Sequence, residues 1–122
     1  MKTRRLFTLW TACMLLITIG CGPDSIFIRQ GLDTPSHHVN NGNQFINSGK
    51  LAAAAEEFNR SIELDSNYAP AYVGLGLVAG HQGNPEKGME LMEKARELAQ
   101  DEEQRKNVEA GFEILKEMAG TN

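Results

Sequence analysis

The chain has 122 residues and a formal net charge of −4, its 12 basic residues being outnumbered by 16 acidic ones. That length holds one small domain, and the acidic balance opposes binding to nucleic acid or to an anionic lipid face, both of which would repel it. The cysteines, Cys13 and Cys21, both lie in the first 21 residues, so no disulfide framework supports the rest.

The leading stretch reads as a targeting segment over residues 1–20. Lys2, Arg4 and Arg5 form a cationic head, and Leu6 to Ile19 carries no charge, as in the n-region and h-region of a signal peptide. The apolar run is shorter than the ~20 residues a membrane-spanning helix needs. Its end, Ile17-Thr18-Ile19-Gly20-Cys21, resembles the lipobox of bacterial lipoprotein signals, with Thr18 where leucine is commonest. The resemblance implies that Cys21 takes diacylglycerol and, after cleavage, becomes the first residue of the mature chain. Two or three fatty acyl chains, at about 0.8 kcal/mol per buried CH₂, hold a protein that one chain would hold only marginally. An ordinary secretory signal followed by an incidental cysteine is the alternative. Gly22 stands where an aspartate would resemble an inner-membrane retention signal, so the expected location in a Gram-negative organism is the outer membrane, facing the periplasm.

Without residues 1–20 the chain keeps nine basic residues against 16 acidic ones, and its acidity deepens. Residues 21–35 show no sustained period and include Pro23, Asp24, Ser25, Gly31, Asp33 and Pro35, which fits a lipidated tether. Ile26-Phe27-Ile28 interrupts it, and packing on the first helix is the expectation for those three.

A period of 34 residues follows. Gly42 pairs with Gly76, Gly49 with Gly83, Glu56 with Glu90, Glu63 with Glu97 and Leu64 with Leu98, and Phe58/Met92 and Arg60/Lys94 share the offset. The register, with His38, Asn41, Gly42, Phe45, Ala54 and Phe58 and then Tyr72, Leu75, Gly76, Ala79, Gly88 and Met92, resembles the tetratricopeptide (TPR) pattern. His38, Asn41, Ala79, Ser66 and Gln100 depart from it. The resemblance implies an all-α fold of about two helix-turn-helix repeats (residues 36–66 and 69–100), closed by a capping helix (101–119) into a short right-handed α-solenoid.

Local signals place helices independently. Thr34-Pro35, Asn67 ahead of Pro70, and Asn84-Pro85 each combine a capping side chain with a proline suited to a first helical turn. Leu51, Ala54, Ala55, Phe58, Ile62 and Leu64 approximate helical spacing, with Glu56, Glu57, Arg60 and Glu63 for the wet side. Gly49 and Gly83 suit left-handed helix ends. Asp101-Glu102-Glu103-Gln104 reads as a capping box, after which Val108, Phe112, Leu115 and Met118 form one apolar face opposite Glu109, Glu113, Lys116 and Glu117. Two repeats fall short of the three that such arrays usually need, and Gly74, Gly76 and Gly80 each cost about 1 kcal/mol inside a helix. Close packing explains Gly76; Gly74 and Gly80 have no evident role in the sequence. A partner, or self-association into a homo-oligomer, is expected to supplement stability.

No enzyme is legible. The glycines from Gly74 to Gly80 lack the spacing and preceding strand of a dinucleotide loop. His37, His38 and His81 lack metal-ligand spacing, no serine sits in a nucleophile elbow, and the carboxylates fall on solvated helix faces. The expectation is no cofactor, no metal and a protein partner. By the TPR resemblance, the concave groove-lining positions are Ser36, Val39, Asn43, Ile46 and Asn47, then Pro70, Val73, Leu77, Gly80 and His81. Asn43, Asn47 and His81 suit hydrogen bonding to an extended peptide and Val73 and Leu77 apolar contact, although packing against neighbouring helices accounts equally for the last two. The implied role is a non-catalytic, membrane-anchored adaptor or assembly factor of the cell envelope, or a structural subunit that completes its solenoid on another TPR chain.

Overall fold

The computed structural model describes residues 33–120. The expected signal segment, Cys21 and Ile26-Phe27-Ile28 lie outside the described residues. Five helices follow in order: α1 (Pro35–Asn47), α2 (Leu51–Leu64), α3 (Ala69–His81), α4 (Pro85–Leu98) and α5 (Glu102–Gly120). Among the described residues there is no strand, and no helix is long and apolar enough to cross a membrane. The architecture is an all-α solenoid: α1 packs on α2, α3 packs on α4, and α5 closes against both members of the second pair.

The helix ends follow from their residues. Thr34 Oγ1 accepts from the His37 N–H at 3.2 Å, and Asn84 Oδ1 from the Lys87 N–H at 3.2 Å, so each satisfies a first-turn donor that has no helical partner. Gly49 and Gly83 sit at φ 71° and 82°. After Gly49 the Lys50 N–H reaches Phe45 O, and after Gly83 the Asn84 N–H reaches Ala79 O, so both turns are Schellman motifs. At α5, Asp101 Oδ1 accepts from the Gln104 N–H at 2.8 Å, while the Gln104 side chain reaches back to the Gln100 N–H at 3.1 Å. The reciprocal arm of the capping box thus lands one residue earlier than the usual pattern.

Asn67 does not cap α3. Tyr68 holds that position without a side-chain bond, and the Asn67 N–H turns back to Asp65 Oδ1 at 2.9 Å. The turn after α2 therefore uses Asn67 as its own link, one residue too early to serve the helix.

Two apolar clusters make the core. Val39, Ala54, Phe58, Ala71 and Val78 fill the first, and Met92, Ala95, Val108, Phe112 and Leu115 the second. Leu64, expected on the apolar face of α2, is instead exposed, and the buried stripe of that helix runs Ala54, Phe58, Ser61. Ser61 tolerates full burial because its hydroxyl donates to Pro35 O at 2.9 Å, which satisfies the one polar atom it brings inside.

α3 is apolar on nearly every side, as a helix enclosed by others must be, and it touches all four of the other helices. Its glycines are the points of closest approach. A Cβ at Gly74 would overlap the Phe58 ring of α2; at Gly76 it would lie 3.0 Å from Gly88 O of α4; at Gly80 it would lie 2.5 Å from Leu115 Cδ2 of α5. Gly74 and Gly80 therefore have packing roles that the sequence concealed, because their partners lie 16 and 35 positions away in the chain.

Candidate functional site

The first helix of each pair and α5 stand side by side along one face, and a groove of about 450 Å³ opens between them. α1 contributes Val39, Asn40 and Asn43, α3 contributes Pro70, Val73, Gly74 and Leu77, and α5 contributes Glu103, Asn107, Ala110, Gly111 and Ile114, with Tyr68 at one edge. Its floor is apolar and its rim carries amides. Ile114, 40% exposed, places a bare aliphatic side chain on the rim.

Of the residues singled out from sequence, the groove gathers Asn43, Val73 and Leu77, and with them Val39 and Pro70. Asn47 and His81 are exposed one helical turn beyond Asn43 and Leu77 on the same stripes, outside the lining. Ser36 is exposed and also outside it. Ile46 packs on the first core cluster, and Gly80 lies under Leu115 and Met118. Cys21 lies outside the described residues. Sequence reading missed the entire contribution of α5. The signal was present in the same period: 34 residues on from Val39 and Val73 is Asn107, and from Asn43 and Leu77 is Gly111.

A second polar constellation lies at the start of the folded module. His38 Nε2 is 2.9 Å from Asp33 Oδ1 and His38 Nδ1 is 2.8 Å from Glu57 Oε2. Asn41 Nδ2 donates to the same Glu57 oxygen at 3.2 Å, and Arg60 spans Asp33 and Glu63. Burial disfavours a charged His38 ring, but the two carboxylate contacts outweigh it and raise the pKa above 6.5. Hydrogen bonds from His38 and then Arg60 hold the Asp33 carboxyl below its usual value. The cluster ties Asp33 to α1 and α2. Among the described residues no three His, Cys, Asp or Glu side chains converge as a metal site.

A family model described as TPR repeat matches residues 42–83, and one described as tetratricopeptide repeat matches residues 69–102. Together they span residues 42–102, half of the chain. The chain belongs to the tetratricopeptide repeat family. No curated protein matches it. TPR repeats generally mediate the binding of protein partners. Both matches begin after His38 and Asn41, the two departures that serve Glu57 instead of the repeat's usual packing.

Proposed function

We propose that this chain is a lipid-anchored, non-catalytic TPR adaptor or assembly factor of the bacterial cell envelope, which holds one protein partner close to the membrane. The observation that carries the binding role is the three-helix groove, with its apolar floor of Val39, Val73 and Leu77 and its rim of Asn40, Asn43 and Asn107. An extended peptide presents alternating backbone polar groups and side chains, and a groove of amides over aliphatics meets both. The anchor rests on the cationic head, the apolar run and Gly20-Cys21, and Gly22 favours the outer membrane of a Gram-negative cell.

The outer side of α5 bears on the alternative of a stacking subunit. Glu109, Glu113, Lys116 and Glu117 are exposed there, and a stacked chain would have to strip them of water. This weighs against completion of the solenoid at that end.

Photocrosslinking in cells from a reactive group at Val73 tests the groove, and a crosslinked partner lost on Ala110→Trp is the expected result. For the anchor, Cys21→Ser should release the protein from membranes and abolish uptake of labelled fatty acid. A Cys21→Ser chain that still partitions with membranes, beside a parent that takes up no label, would end the lipoprotein reading. A midpoint of denaturation unchanged across protein concentrations would remove self-association as a source of stability.

A further inference from the structure

The groove is uniform in charge. Among the described residues Glu103 is its single carboxylate, and no lysine, arginine or histidine lines it. Within the described residues the Glu103 carboxylate, the amides of Asn40, Asn43 and Asn107 and the Tyr68 hydroxyl have no hydrogen-bond or ion-pair partner. Glu57, Glu63, Glu90, Glu93, Glu97, Glu102, Glu109 and Glu113 are each paired with a basic side chain, whereas Glu103, like Glu56 and Glu86, is not. The one acid facing the groove is thus left without a counter-charge.

We infer that the groove takes an internal, extended peptide segment that sets a lysine or arginine against Glu103 and aliphatic side chains between Val73, Leu77 and Ile114, and that it rejects acidic segments and free carboxyl termini. This deepens the proposed adaptor function and rests on it. A terminal carboxylate or an acidic side chain needs a cationic or clustered N–H receptor to replace its water. The lining offers only neutral amides and the Tyr68 hydroxyl, next to a carboxylate that repels it. A basic segment meets the opposite situation: its cation gains a charge-assisted contact with Glu103, its backbone meets amides that both donate and accept, and its aliphatic side chains cover the floor. The surrounding net negative charge draws such a partner in from a distance.

The test uses the full chain in a non-ionic detergent and a displayed library of random peptides of about twelve residues, presented both as internal segments and with free carboxyl termini. The expected result is enrichment of internal sequences that combine Lys or Arg with Leu, Ile or Val. Their binding should weaken about threefold to tenfold in Glu103→Gln, further in Glu103→Lys, and disappear in Ala110→Trp, which fills the groove from an exposed helix position. Circular dichroism checks that each variant is folded, and Glu103→Gln, the mildest change, stands in for Glu103→Lys where the latter is not. Acidic or carboxyl-terminal peptides that are selected and still lost in Ala110→Trp would overturn the charge inference and leave the groove standing. Basic peptides indifferent to both Glu103 variants would overturn it as well. A library whose enrichment is unaffected by Ala110→Trp would sink the groove itself.

Discussion

Phe58 of α2 rests the edge of its ring on the backbone of Gly74 in α3, in space that any side chain at position 74 would occupy. The same ring atoms face Gly42 of α1, where a Cβ would come within 2.6 Å. Phe58 is fully buried, so it has nowhere to retreat. Two glycines from two helices thus form the slot for the side chain that joins the two repeats.

The first prediction follows from the balance of two effects at this contact. Gly74→Ala gains about 1 kcal/mol of helix propensity, whereas forcing a methyl group into a packed core typically costs about 1–3 kcal/mol, and more where neighbours cannot shift. The expected net result is a loss of about 1–2 kcal/mol, read as a lower urea midpoint. In a Phe58→Leu background the same substitution should cost less, because the slot is then partly empty. A Gly74→Ala protein more stable than the parent would show that the close approach imposes no constraint.

How much of this was legible in sequence depends on whether the signal was local. The caps at Thr34, Asn84 and Asp101 and the helix stops at Gly49 and Gly83 were readable because each involves residues within a few positions of one another. The 34-residue period placed the repeats for a different reason, since self-similarity at a fixed offset can be read without knowing any contact. Gly74 and Gly80 were not explained, since their reasons are side chains on other helices, and Leu64 was placed inside because aliphatic character outweighed its position at the end of α2. In the groove, Asn43, Val73 and Leu77 were found by register. The α5 wall is hard to see in the sequence because the strong apolar signal of that helix is its buried face, Val108, Phe112 and Leu115, whereas the wall is the exposed stripe beside it. The His38 cluster was missed because Asp33 was assigned to the tether, so the carboxylate that completes it was not considered part of the fold.

The two asparagines expected to start helices separate cleanly in a second prediction. Asn84 caps α4 through its side chain, whereas Asn67 contributes only its backbone N–H to the turn after Asp65. Asn84→Ala should therefore cost about 1 kcal/mol, and Asn67→Ala should stay within about 0.5 kcal/mol of the parent. Thermal midpoints of the two variants, measured side by side, check this, and equal losses would restore Asn67 as a cap.

Arg96 supplies a third. Its guanidinium carbon lies 4.3 Å from the centroid of the Phe112 ring, and its nitrogens reach Glu109 on α5 at 3.1 Å and Glu93 on its own helix at 2.9 Å. The side chain is 45% exposed, so the ion pairs contribute little individually; the stacking over a ring at the edge of the core is the larger part. Arg96→Ala should cost about 1 kcal/mol. Arg96→Lys should recover less than half of that, since an ammonium keeps the charge but loses the planar face and the fork. Denaturation midpoints of the three proteins decide it, and full recovery by lysine would assign the effect to charge alone.

His38 carries the pH dependence. A neutral imidazole has one N–H, so with a carboxylate oxygen at each ring nitrogen one contact would set acceptor against acceptor; the imidazolium satisfies both. The ring's pKa is accordingly raised above 6.5: burial opposes the charge, and hydrogen bonds donated to Asp33 and Glu57 prevail. Because the folded value exceeds the unfolded one, the stabilisation is complete below pH 6.5 and is lost as pH rises through the folded pKa. Asp33 acts in the opposite sense. Its value is depressed below 3.8 by His38 and Arg60, so its contribution is present above 3.8 and is lost as pH falls through the depressed value. The cluster is strongest between these limits. The urea midpoint is therefore expected to decline from roughly pH 6 to pH 9, and His38→Gln, which holds no titrating proton, should flatten that decline. The ring protons of His38, followed by NMR, should titrate above 6.5. A flat midpoint in the parent, or a His38 resonance that titrates below 6.5, would show that the ring is neutral in the fold and that Asp33 is held by Arg60 alone.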